Sequence, residues 1–340
     1  SRENHDPGLR SRGDRGAEQV GGDRRDHVGA TIVPGFNDAH QHLSMMAAQA
    51  LGLDLSDPGL DNPAALAGAV RNHATSLSPG GWVVATRYDH MRSSGGRRLT
   101  RADLDELVPD RPAIVVHIGA HWGVANSAAL AAGGLTDDDA GPAGGELGKD
   151  AAGRLNGFVS EQALFDFVYP SLASRVPIAP VPSLESLLGP VRASAEKLLA
   201  AGITSVCDAM VGPRELRLLQ LARNHGLALR VNALLTFPHL PSLSAVGLRD
   251  GFGDEWLRIG GIKAFVDGAV AGRSCAVAQP FADGDDGADI GILTVTSGEV
   301  DELVERATAA GTRLAIHANG ERAIEMVLDA FEQAGRPAAA

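Results

Sequence analysis

Aromatic side chains are scarce in this chain of 340 residues: they make up 4%, with three tryptophans and two tyrosines. Its core must therefore be built from closely packed Val, Leu, Ile and Ala. A hydrophobic content of 44% supplies enough of these for one large α/β domain or two smaller ones. Cysteine is nearly absent too. Cys207 and Cys275 stand far apart, which excludes a disulfide scaffold and suits a reducing compartment. No run of 18 or more uninterrupted apolar residues occurs, and no signal-peptide apolar segment opens the chain, so neither membrane spanning nor export is expected and the cytoplasm is the default. Positive charge is the minority sign. At a formal net charge of −12, with no long basic tract in the folded part, nucleic acid and anionic membranes are excluded as partners. No Gly-x-Gly-x-x-Gly opens a helix, which argues against a dinucleotide-dependent enzyme.

What is present begins at residue 31. Residues 1–30 carry six arginines among six glycines and four aspartates with no apolar period, the composition of a disordered arm. Residues 31–340 read as one α/β domain. After a strand ending near His42, the β-rich runs Trp82–Tyr88 and Ala113–Ile118 lie among Gly- and Pro-rich turns, which marks an inserted α+β lobe at about 50–182. Regular alternation follows. Helices are predicted over Ser183–Ala200, Pro213–His225, Gly298–Ala310 and Glu321–Ala334, each followed by a glycine, and strands over Thr204–Cys207, Leu229–Leu235, Leu257–Val266 and Arg313–His317. Such alternation implies parallel strands joined by helical crossovers, closing into a (β/α)8 barrel or spreading into an open doubly wound sheet.

Polar residues at the strand ends favour the barrel, whose catalytic groups project from the C-terminal ends of several strands. The first strand ends at Asp38, His40 and His42; the next at Cys207 and Asp208; a later one carries Lys263 and Asp267; the last carries His317 and Asn319. On a pleated strand Asp38, His40 and His42 share one face, so two imidazoles converge where a divalent metal could sit. Lys263 lies within an apolar segment, where an ammonium is costly unless paired or neutralised. A salt bridge to Asp267 or Asp208 is one solution. Carbamylation, which makes the lysine an anionic ligand able to bridge two cations, is the other.

The run Val33-Pro34-Gly35-Phe36-Asn37-Asp38-Ala39-His40-Gln41-His42 resembles the opening motif of the amidohydrolase superfamily. Gly119-Ala120-His121-Trp122 through Leu130, Gly144-Gly145-Glu146 with Asp150, Gly157-Phe158-Val159-Ser160-Glu161, Gly261 through Gly268 and Ile316-His317-Ala318-Asn319-Gly320 narrow the resemblance to the YtcJ-like branch, which includes N-substituted formamide deformylases. The resemblance implies a TIM-type barrel beside a small β-sandwich, with one or two divalent ions, usually zinc. It makes His40 and His42 first-strand ligands, Lys263 the bridging carbamate and His317 the fifth-strand ligand. His121, Glu161 and Asp267 are then expected to touch the substrate, a small amide or formamide-like molecule, and Trp82, Tyr88 and Trp122 to form an apolar lid. The reaction implied is hydrolysis of a non-peptide C–N bond by water that the metal activates. A homodimer is left open.

The same resemblance also implies parts that the chain does not show. Relatives bring a histidine from the sixth strand and an aspartate from the eighth, so with about five strands here the catalytic acid–base residue is unknown. The corresponding expectation is an incomplete barrel, and the competing functional reading is a truncated remnant or metal-binding pseudoenzyme.

Overall fold

The computed structural model describes residues 33–282 and 289–335, together with Gly29 and Thr31. The chain divides into Ser1–Pro34 and Gly35–Ala340; apart from Gly29, the arm expected over 1–30 lies outside the described residues.

Eleven strands are described: β1 (Phe36–Gln41), β2 (Leu53–Asp54), β3 (Val83–Tyr88), β4 (Ala113–His117), β5 (Trp122–Ala125), β6 (Gly145–Lys149), β7 (Leu155–Glu161), β8 (Ile203–Val211), β9 (Arg230–Thr236), β10 (Leu257–Phe265) and β11 (Leu314–His317). They form two sheets. One has the order β1-β8-β9-β10-β11, every neighbouring pair parallel; the other, β2-β3-β4-β5-β7-β6, is mixed. The first is a curled half-barrel. Its strands follow chain order because each is joined to the next by a helical crossover, and the mixed sheet is the lobe inserted into the first crossover. The sheet does not close among the described residues: β1 and β11 each pair on one side only.

Local signals explain the helices. Ser183 caps Leu184–Ala200, and Thr296 with Glu299 forms a capping box at the start of Ser297–Ala309. Gly202, Gly226 and Gly311 follow three of them with positive φ, the conformation that ends a helix and that only glycine adopts without strain. Val206, Val231, Ala233, Leu235 and Ile259 are buried against Leu187, Val191, Leu218 and Leu219, so one face of the half-barrel packs on its helices. Each of those leucines contributes ~1.5–3 kcal/mol by leaving water.

Two differences from the sequence reading concern the first crossover. The strand runs over Phe36–Gln41 rather than from Thr31, and a bulge between Asp38 and Gln41 interrupts its pleat. Simple alternation therefore fails, and His42 stands just past the strand as the residue preceding the helix Leu43–Gln49, which the sequence reading did not contain. The lobe holds four strands beyond the two expected, most too short to show a period. No helix among the described residues is long and apolar enough to cross a membrane.

Candidate active site

The C-terminal ends of β1, β10 and β11 meet the tip of the lobe, and the expected site residues are distributed around that junction. His40 and His42 come together despite the bulge, with ring centroids 5.1 Å apart and edge to face. Burial pushes the His42 imidazole down to about 4, helped by His40, Lys263, His121 and His317, so it is neutral at physiological pH. Its Nδ1 is buried with no hydrogen-bond partner, an arrangement that leaves a lone pair free for a ligand. Burial and the field of Lys263 also lower His40.

Lys263 lies on β10 and is 3% exposed. Neither proposed ion pair forms: among the described residues no carboxylate bonds its ammonium, which instead sits 4.7 Å from the centroid of the Phe265 ring. Desolvation pushes Lys263 down to about 8. Register explains its depth. Phe265 pairs with His317 at the strand ends, so Lys263, paired with Ala315, lies two residues deeper.

His317 is fixed by its surroundings. Its Nε2 donates to Gly268 O at 3.0 Å, which leaves Nδ1 as the nitrogen with a lone pair. Asn319 donates to the same carbonyl at 3.0 Å. Burial lowers the His317 pKa, against the opposing effect of that backbone bond. Its ring stacks on His121 of the lobe, centroids 5.0 Å apart. His121 Nδ1 is 2.9 Å from Glu161 Oε2, and Glu161 N donates to His121 O at 2.9 Å.

Asp267 is placed differently. It has no exposed surface, and its carboxylate accepts from the backbone N–H of Ala276, Asn319 and Gly320 at 3.0, 2.9 and 2.7 Å. It lies beneath the site and holds the His317 loop, so the expected substrate contact has no surface to make it. The apolar lid is likewise not formed. Tyr88 and Trp122 are fully buried in the lobe, and Trp82 lines a cavity of about 370 Å³ behind the helix Leu43–Gln49, away from Lys263 and His317.

Asp208 also faces away from the site. It accepts from Ser44 N at 3.1 Å and Ser44 Oγ at 2.6 Å, on the helix side of β8. Burial pushes its carboxyl up to about 6, and Glu215 adds to the effect. The folded chain thus holds a proton that the unfolded chain releases near pH 4, so stability falls as pH rises from about 4 to about 6 and is level above. Asp208→Asn is expected to raise the melting temperature at pH 8, by at most the ~3 kcal/mol that about two pKa units represent, and to flatten the profile between pH 4 and 6. Thermal melts across that range check this, and an unchanged slope would count against it.

The sequence reading missed one cluster. Asp89, His90 and His117 each bring a ligand atom within 4.8 Å of the others, a group of three His, Cys, Asp or Glu donors that, among the described residues, the barrel histidines do not match. His90 Nδ1 there is buried without a hydrogen-bond partner, as His42 Nδ1 is. His117 Nδ1 accepts from Gly119 N at 3.1 Å, which places the proton on Nε2, and burial lowers the pKa of both histidines, with Arg98 adding to it. The His117 ring stacks on Trp122 at 4.4 Å and the His90 ring meets it edge-on at 5.5 Å, with the Arg98 guanidinium 5.1 Å from the indole. The only sequence signal was two isolated histidines beside strand ends.

A parallel β/α sheet with histidines at its first and fifth strand ends, and on the fourth a buried lysine with no carboxylate partner among the described residues, has the layout of a metal-dependent hydrolase. The amidohydrolase family profile matches residues 26–340, and the chain belongs to that family, in its YtcJ-like branch. It is 32% identical over 334 residues to the N-substituted formamide deformylase of Arthrobacter pascens, covering 95% of this chain and 59% of that one. To YtcJ of Bacillus subtilis (strain 168) it is 28% identical, covering 90% of this chain and 56% of that one. Among solved structures it resembles an uncharacterized metal-dependent hydrolase from Pyrococcus horikoshii, with a TM-score of 0.62 and 26% identity over 89% of this chain and 57% of that one. The chain thus spans a little over half the length of each.

Proposed function

We propose that the chain hydrolyses a non-peptide C–N bond, in a small amide or formamide, at a site holding one or two divalent ions, zinc foremost. The observation that carries the reading is Lys263, an ammonium 3% exposed without a carboxylate partner among the described residues and facing neutral imidazoles. Burying such a group serves packing poorly, whereas an amine lowered to about 8 is partly neutral at physiological pH and open to carbamylation by CO2. The donor set suits the ion: His42 has its buried, unpartnered Nδ1, and His317 is oriented by Gly268 with Nδ1 free. His40, His42, His317 and Lys263 would hold it. A divalent cation there supplies a Lewis acid and lowers the pKa of water toward ~7.

The chain's own residues do the rest. Burial lowers the pKa of both His42 and His317, His42 to about 4, which weakens the competition of protons for their lone pairs. His121 faces the same space from the lobe and is proposed to contact the substrate, and Glu161, expected to touch it too, is proposed to act by holding the His121 ring. Phe165 and Phe265, with ring centroids 6.2 Å apart, form an apolar wall beside His121 and His317 that limits water. The unpaired Cys207 and Cys275 accord with the cytoplasmic location we propose.

The test is a metal titration joined to a substrate panel. Protein purified without chelator should contain near-stoichiometric divalent metal, and hydrolysis of formamides, acyl amides, ureas or cyclic amides should stop on chelation and return with zinc. Metal below about a tenth of an equivalent would count against a closed, tight-binding site, and turnover insensitive to chelation would refute the metal-dependent reading.

A further inference from the structure

The contact between His121 and Glu161 is more constrained than substrate binding alone requires. Glu161 ends β7 with φ +48 and ψ −121, a backbone conformation that non-glycine residues rarely hold and that clusters at functional sites. Its side chain is 1% exposed; Oε2 meets His121 Nδ1 at 2.9 Å, while Oε1 is buried without a partner. Gly268 accepts this crowding because a Cβ there would collide with Glu161 Oε1 and Ser274 Oγ. The barrel loop that orients His317 therefore also makes room for the lobe carboxylate.

A carboxylate only accepts, so the proton shared by this pair sits on His121 Nδ1, and Nε2 keeps its lone pair. No hydrogen bond from another described residue reaches that nitrogen. The ring is held between Phe165 and His317 and bears electrostatically on His42 and His317. It can tilt little, and its free acceptor belongs to the space around those imidazoles.

Building on the amide-hydrolase reading, we infer that Glu161 is a positioning residue that holds His121 Nε2 as a hydrogen-bond acceptor for the substrate's N–H, so that the site takes secondary amides and discriminates against N-methylated ones. An N–H substrate satisfies the acceptor. An N-methyl group in the same place leaves the lone pair desolvated and adds a steric clash, an asymmetry that binding sites built around one hydrogen bond exploit.

The test separates binding from turnover. Calorimetric titration of the chelator-treated chain with an N-alkylformamide and with its N-methylated counterpart should show the N–H compound binding about tenfold more tightly, the loss expected when a polar group is buried unpaired. Glu161→Gln should abolish that preference, and in ¹⁵N-histidine spectra His121 should lose its uniform Nδ1–H tautomer. His121→Phe, which keeps the ring stack and removes the nitrogen, should also abolish the preference and serves if Glu161→Gln fails to fold. Equal affinities in the unaltered chain, a preference that survives both substitutions, or no binding of either compound would overturn the inference. A binding preference without hydrolysis of any amide by the zinc-loaded chain would refute the hydrolase reading while leaving the role of Glu161 standing.

Discussion

Replacing His40 and His42 together with alanine is expected to abolish divalent metal binding and, with it, at least a thousandfold of any amide hydrolysis. Both rings come from one short segment, β1 and the residue beyond it, and stand 5.1 Å apart. Their loss removes two donors whose positions the sheet has already set, so no loop closure is available to replace them. Metal binding of this kind can contribute ~10 kcal/mol or more, so losing half of a four-ligand set leaves occupancy below about a tenth of an equivalent. Elemental analysis and zinc calorimetry read this directly. His121→Ala is the control: its ring lies across the site on the lobe, so metal content should stay within about twofold while substrate binding weakens. Metal lost equally from both variants would make His121 a ligand and sink the division between the barrel and the lobe.

Lys263→Met is expected to move stability and function in opposite directions. Desolvation lowers the lysine from 10.5 to about 8, so the folded chain releases a proton that the unfolded chain keeps. Lys263 therefore costs stability in full below about pH 8, and the cost fades as pH rises from about 8 to about 10.5. An apolar residue of similar length removes it. The metal-free Lys263→Met chain should melt several degrees higher at pH 7, by at most ~3 kcal/mol, and the gain should vanish near pH 10. Metal stoichiometry and turnover should fall at the same time. Nζ attacks CO2 as the free amine and releases one proton, and the resulting carbamate is the anionic ligand that Met lacks. Acetate or formate should restore part of the metal binding to Lys263→Ala, where the shorter side chain leaves space. If Lys263→Met loses stability and keeps its metal, the lysine is a structural group and the carbamate proposal fails.

Much of this was legible from residues 31–335. The glycines after each helix, the capping residues and the apolar runs placed four of the five half-barrel strands and their helices to within a few residues, because those signals act locally. His40, His42, Lys263 and His317 could be picked out as candidates for a related reason: each stands in or near the end of an apolar run, where a polar side chain must be paired, solvated or put to use. The lobe resisted reading. Its strands β5 and β6 have four and five residues, and their edges were defined by pairing partners that sequence periodicity does not reveal.

The amino-acid sequence by itself determined the alternation of strands and helices and the presence of an inserted lobe, and it offered candidate cation-holding residues, since propensity, capping and side-chain chemistry belong to a residue and its near neighbours. Tertiary structure decided which of those residues meet. Asp208 and Asp267 have the same charge and similar strand-end positions, yet one bonds Ser44 on the helix face and the other takes three backbone N–H groups beneath His317. Lys263 is left without either. His121, in the lobe, lies on His317 of the half-barrel, almost two hundred residues on, because lobe and sheet pack together there. Register between parallel strands and the docking of an inserted lobe are long-range properties: a single bulge or a shift by one residue exchanges the faces of a strand, and no local signal records which exchange is made.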